Sequence, residues 1–191
     1  MTRIHPVDVD VADPHVQGLF QQVRQATGGA VPNFFRNAAV APAVLEGYLG
    51  ASGALAKGKL SAALREEIAL AVAEANHCDY CLSAHSYVAD SLKLDAAERS
   101  RACGFQSSDA KRAAALTFAR EVFERRGHVS DAVFAAVRAA GYSDGEVLEI
   151  VAVVAINILT NYLNDVSRID VDFPLVQAGQ LVQAGLLAQA A

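Results

Sequence analysis

Serine or aspartate repeatedly stands just ahead of a stretch whose apolar residues recur every three or four positions, and this punctuation constrains the chain more than any other feature. Asp13-Pro14, Ser61, Asp95, Ser108, Ser130 and Ser143 are such positions. Each can accept hydrogen bonds from the free N–H groups of a first helical turn. Pro14 suits the first helical position because it has no N–H to leave unpaired. Glycines close the same stretches: Gly28-Gly29, Gly58, Gly127 and Gly141. The predicted helices run from Pro14 to Gly28, from about Pro42 to Lys57, from Ser61 through Asn76, from near Cys78 to about Leu92, briefly after Asp95, from Ser108 to Arg126, from Ser130 to Gly141, and from Ser143 toward Arg168, with a short apolar turn around Phe34-Phe35. Ser143 and Glu146 have the spacing of a capping box. A chain punctuated this way, Ala-rich, with five prolines and no tryptophan, is all-α. Its 191 residues suit one helical domain. We divide it into an N-terminal helical segment at 1–31, the helical domain at 32–172 and an apolar tail at 173–191. In the tail, Val176, Leu181, Val182, Leu186 and Leu187 fall at helical spacing and should pack on their own domain or on a neighbouring subunit.

The segments after Ser61 and Ser143 align without gaps at an offset of 82 residues, with identities at Ser61/Ser143, Glu67/Glu149, Ile68/Ile150, Val72/Val154, Ala73/Ala155 and Tyr80/Tyr162. This is the pattern of a degenerate internal repeat. Only the first copy carries sulfur, because Cys78, Cys81 and His85 stand over Thr160, Leu163 and Ser167.

The acidic balance, 21 Asp and Glu against 16 Lys and Arg with no basic run, gives no footprint for nucleic acid or for an anionic membrane surface. No stretch holds the roughly 18–20 uninterrupted apolar residues of a bilayer span, and the N-terminus carries charges where a signal peptide needs an apolar run. A cytoplasmic protein is expected.

Two of three cysteines and two of five histidines crowd into EEIALAVAEANHCDYCLSAHS, residues 66–86. Cys78 and Cys81 are three apart at a helix start, close enough to bridge, where the free N–H groups and the positive end of the helix dipole favour a thiolate. His85, one turn beyond Cys81, can exchange a proton with it, which favours Cys81 as the attacking thiol. The same residues could instead bind zinc, with His77, Asp79 or Glu74 as a fourth ligand. Three acids compete to complete the site. Leu64, Ile68, Ala71, Val72 and Ala75 define an apolar stripe, flanked by Glu67 and Glu74, which are expected to reach water. Glu66 shares a second apolar face with Ala69, Leu70, Ala73 and His77 and is the candidate for proton exchange in a dry setting. A helix continuing unbroken would instead align Glu74 with Cys78, Cys81 and His85. Cys103 reads as a small buried hydrophobe, and His77 as a possible relay member. Asn157, Asn161 and Asn164 recur on nearly one face of the last helix, either near the site or in ordinary helix-face hydrogen bonds.

The segment REEIALAVAEANHCDYCLSAH resembles the signature E-x11-C-x2-C-x3-H of the AhpD-like alkylhydroperoxidase and carboxymuconolactone decarboxylase superfamily, and Glu66, Cys78, Cys81 and His85 meet that spacing in full. Arg65, Tyr80 and Asn161-Tyr162 are similar to its peroxidase-related branch, and the resemblance spans roughly 32–172. It implies a hydroperoxide-reducing enzyme in which Cys81 attacks, Cys78 resolves, and Glu66 and His85 relay protons, with Tyr80 at a position where the best-studied hydroperoxidase has a further relay histidine. It implies no bound cofactor, recycling by an external thiol or lipoyl reductant, and a trimer or hexamer. An oligomer is also expected from helices that are apolar on more than one face. Members that decarboxylate muconolactone typically lack the cysteine pair, so that activity is not expected. The alternative is a thiol–disulfide adaptor or scaffold with little peroxidase turnover.

Overall fold

The computed structural model describes residues 1–182. Among these it holds nine helices and no strands: α1 (Pro14–Thr27), α2 (Asn33–Ala38), α3 (Pro42–Leu55), α4 (Ala62–Ala75), α5 (Asp79–Ser91), α6 (Ala96–Cys103), α7 (Ala110–Glu124), α8 (Asp131–Ala139) and α9 (Asp144–Ser167). The caps explain the starts. Asp13 accepts from the His15 and Val16 N–H groups, Ser61 from Leu64, Asp95 from Glu98 and Ser130 from Val133, and Ser143 forms a full capping box with Glu146. The turn expected at Phe34-Phe35 is the six-residue helix α2. α7 starts one residue later than expected, because the Asp109 carboxylate takes the Arg112 N–H at 2.8 Å while the Ser108 N–H is held by Glu98.

α4 is the central helix and packs most extensively on α5, α6 and α9. Its sequence explains why, since it is apolar on both sides. Leu70 and Ala73 join a core with α1, α2, α3 and α5, whereas Leu64, Ile68, Ala71 and Val72 join a second core with α7, α8 and α9. Ala75, at its end, is exposed. The segment 1–31 contributes Val16, Leu19 and Phe20 to the first core, and Phe173, Val176, Leu181 and Val182 pack against that core, so the tail lies on its own domain as far as residue 182. Leu186 and Leu187 lie outside the described residues.

The aligned segments at 61–81 and 143–163 differ in one respect. Both open with a serine cap, and α4 and α9 pack together, but α9 runs on unbroken through 158–160, the positions aligned with the break between α4 and α5 at 76–78. Gly58 marks a close approach in this packing. A Cβ there would lie 2.5 Å from Oε2 of Glu149, whose carboxylate accepts from the N–H groups of Lys59 and Leu60. By length and composition α9 is also the one helix among the described residues able to cross a membrane. Its inward face carries buried Asn157, Asn161 and Asn164 into the protein core, while Leu148, Leu159, Tyr162 and Val166 remain exposed on its outer face.

Candidate active site

The site begins where α4 stops. After Ala75 the chain turns through Asn76 and His77, the latter left-handed at φ 54°, and the Cys78 N–H reaches back to the Ala73 carbonyl at 3.0 Å. Cys78 then caps α5 through its sulfur, which accepts the Cys81 N–H at 3.3 Å. The reversal lays α5 back along α4 and sets His85 against Glu66, Nδ1 to Oε1 at 2.7 Å. This break, absent from an unbroken helix, brings Glu66 rather than Glu74 to His85. The Glu74 carboxylate is instead half-buried and accepts the Gly179 N–H at 2.6 Å, so it does not stand free in water as its place beside the apolar stripe suggested.

Glu67 departs further from expectation. It is wholly buried, not solvated, because both faces of α4 are covered and Arg112 of α7 reaches its Oε1 at 2.7 Å. Burial pushes the Glu67 carboxyl up to about 7, with Arg112 pulling the other way and Glu98 adding to the rise. Arg112 also lies 3.7 Å from Glu98, whose oxygens accept from Ser107 and Ser108.

Cys78 and Cys81 are both buried and free. Their protonation is unequal. Hydrogen bonding from the Cys78 thiol, aided by the Asn164 amide, holds Cys81 below the ordinary thiol value despite burial, whereas Cys78, as the donor to Cys81, is pushed up and kept protonated. The Asn164 Nδ2 donates to the Cys81 sulfur at 3.1 Å. Asn161 accepts from the Asn76 amide at 2.8 Å, and Asn157 donates to the Val153 carbonyl. Two amide atoms of this face, Asn161 Nδ2 and Asn164 Oδ1, are buried with no partner among the described residues. Burial tends to lower the His85 pKa, but the Glu66 carboxylate outweighs it and the net shift is upward.

Cys81, His85 and Asn164 lie at a cleft of about 740 Å³ lined by the rings of Phe34, Phe35, Tyr48, Tyr80, Tyr87 and Phe173. Cys78 instead lines a smaller, polar cleft of about 250 Å³ with exposed His77 and Arg168 and half-buried Asp79. Tyr80 borders both. Its hydroxyl accepts the Phe34 N–H at 2.9 Å, and burial raises its pKa. Cys103 is buried in the same core as the pair, and burial pushes its thiol up to about 12. Among the described residues no group of three or more His, Cys, Asp and Glu is arranged to hold a metal ion. His85 is directed to Glu66, and Glu74 to Gly179. The periodicity of the asparagines pointed to a face without saying what it meets. The cleft rings were missed, because they come from three helices and the segment after α9 and carry no local motif.

Residues 42–125 match the model of the carboxymuconolactone decarboxylase family. No curated protein matches the chain. Among solved structures, it is similar to an uncharacterised peroxidase-related protein with an alkylhydroperoxidase AhpD core from Ralstonia eutropha JMP134, at 22% identity and a TM-score of 0.77 over 96% of each chain. It is also similar to a peroxidase-related protein from Silicibacter sp. TM1040, at 23% identity and a TM-score of 0.73 over 93% of this chain and 96% of that one. A third is a debrominase solved with 2,3,4-tribromopyrrole, at 21% identity and a TM-score of 0.73 over 98% of this chain and 97% of that one.

Proposed function

We propose that the protein belongs to the AhpD-like carboxymuconolactone decarboxylase superfamily, on the family match over residues 42–125 and the shared fold, and that it is a thiol peroxidase that reduces hydroperoxides with the Cys78–Cys81 pair. The observation that carries this reading is Cys81 itself: a sulfur biased toward thiolate by Cys78 and Asn164, facing an open cleft beside the His85–Glu66 pair. The Cys81 thiolate attacks the distal oxygen of ROOH, and its electron pair breaks the O–O bond. Sulfur becomes a sulfenic acid, and RO⁻ leaves as the alcohol with a proton supplied through His85, which Glu66 keeps oriented. Cys78 gives up its proton and closes the disulfide, expelling water. Two equivalents of an external thiol, or one lipoyl dithiol, restore the pair.

A thiol–disulfide adaptor needs a sulfur that a partner protein can reach, and Cys78 and Cys81 are only 5% and 3% exposed. Their burial in clefts favours small oxidants. A second reading comes from the aromatic cleft and the debrominase likeness: the dithiol gives two electrons to a halogenated ring, bromide leaves and hydrogen takes its place. Bromide release from 2,3,4-tribromopyrrole by reduced protein tests it. For the main reading, stopped-flow loss of both free thiols on adding one equivalent of an organic hydroperoxide, with a Cys78–Cys81 bridge in the peptide map, is the expected result. Intact thiols after peroxide would end it. Assembly as a trimer or hexamer is part of the proposal, supported by the exposed apolar face of α9; light scattering that shows a monomer at micromolar concentration would remove it.

A further inference from the structure

We infer that the cleft over Cys81 is a binding site for an uncharged aromatic ring, so that the hydroperoxide handled here carries an aryl group close to its –OOH. The reaction rests on the function proposed above; the binding does not. Size comes first. A volume of about 740 Å³ is the scale of a ligand pocket and far exceeds what hydrogen peroxide, little larger than a water of roughly 30 Å³, would fill.

The lining comes second. Phe34 and Phe35 of α2 and Tyr48 of α3 form an edge-to-face trio, with centroids 5.1, 4.9 and 5.9 Å apart and planes inclined at 64–77°. Tyr80 of α5 meets Phe173 edge-on at 5.8 Å, and Tyr87 lies at the same distance from Phe173. Phe34 and Tyr80 are core residues, and their packing needs no ligand. Phe35, Tyr48 and Phe173 are only half-buried, and Tyr87 is 56% exposed. Rings fixed by their neighbours but open toward a cleft offer a further ring the same offset and edge contacts, each worth about 0.5–1.5 kcal/mol beyond burial.

Charge comes third. No Lys or Arg lines the cleft, and its one carboxylate, Asp172, accepts the Asn33 N–H at its edge. A fatty-acid hydroperoxide would bring a carboxylate that finds no Lys or Arg, only a His85 already paired with Glu66, and meets Asp172. A neutral aryl compound meets no such penalty.

Cumene hydroperoxide and tert-butyl hydroperoxide differ only by phenyl in place of methyl on one tertiary carbon, and they form the matched pair for the test. Second-order rate constants for reduced full-length protein are measured by stopped flow and divided by the corresponding ratio for free cysteine, which removes intrinsic reactivity. A cumene preference of at least tenfold over the free-thiol ratio is expected, with no such gain for linoleic acid hydroperoxide. Phe35→Leu and, separately, Tyr87→Ser should pull that preference back toward the free-thiol ratio. Tyr87 is exposed enough that its variant should fold. In a second arm without peroxide, 2-phenyl-2-propanol should protect Cys81 from iodoacetamide while tert-butanol does not. A preference equal to that of free cysteine, or no protection by the aryl alcohol, overturns the inference even if peroxides are reduced. Protection by the aryl alcohol without loss of thiols to any peroxide leaves the ring site standing and removes the peroxidase reading instead.

Discussion

Glu66 and Glu67 are consecutive, identical in side chain and both buried, yet α4 turns them toward different company. Glu66 meets His85, a group that can take or release a proton at neutral pH, at the edge of a cleft that small molecules can enter. Glu67 meets Arg112, a guanidinium that never gives up its proton, inside a closed cluster with Glu98. Burial alone therefore does not separate the carboxylate proposed for proton exchange from the one locked to an arginine. Partner chemistry and access to solvent do.

The sharpest break of this comparison is at the thiols. Cys81→Ser should abolish sulfenic acid formation on peroxide treatment, whereas Cys78→Ser should still give a sulfenic acid that dimedone traps. The reverse pattern would exchange their roles. Next in size, Glu66→Gln should slow thiol oxidation by about 10²-fold, the usual scale for removing a general acid–base group. Glu74→Gln should leave the rate near wild type and affect only the tail contact at Gly179; if it proves the damaging change, the relay has been assigned to the wrong acid. Asn164→Leu removes a hydrogen bond to a developing thiolate and should cost about tenfold, the scale of 1.5 kcal/mol or more for a bond to a charged group. Its distinctive readout is the pH profile of Cys81 alkylation, which should move to higher pH.

Glu67→Gln should have the smallest effect on thiol chemistry, none beyond twofold, and a separate signature in stability. The folded pKa of about 7 lies above the ordinary carboxyl value of 4.5. Between those limits the folded chain holds a proton that the unfolded chain has lost, so wild-type stability should fall as pH rises from about 4.5 to 7 and then level off. The contribution is on the order of 3 kcal/mol for a shift of this size. In Glu67→Gln that slope should vanish, as urea unfolding at pH 5 and pH 8 would show. A variant that keeps the slope would assign it to another group.

How far the residues disclose all this depends on how local each cause is. Helix starts were legible because a cap acts within three residues, and the pairing of Glu66 with the CxxC-x3-H pattern was legible from the family's spacing. The companion expectation that Glu67 and Glu74 border water misjudged α4, because a stripe-and-edge reading assumes one buried face and this helix has two. A break between Asn76 and Cys78 was expected, but the geometric choice between Glu66 and Glu74 turned on the direction of the chain there, set by His77, a left-handed residue that is neither glycine nor asparagine. Asn164 stands at a visible periodicity, but only the packing of α9 over α5 decides that its amide meets sulfur. The ring-lined cleft depends on α2, α3, α5 and the segment after α9 converging, which no window of sequence contains.

The contacts around Cys81 are also separated in time. His85 meets Glu66 across 19 residues, within a single helix–break–helix unit that can close early in folding, whereas the Asn164 amide comes from 83 residues further along. During synthesis the α4–α5 unit leaves the ribosome well before α9 does. Until α9 docks, the Cys81 sulfur lacks an amide donor that favours its thiolate, and a thiol reacts with peroxide chiefly as the thiolate. The Cys81 sulfur thus acquires its Asn164 donor only once α9 has docked.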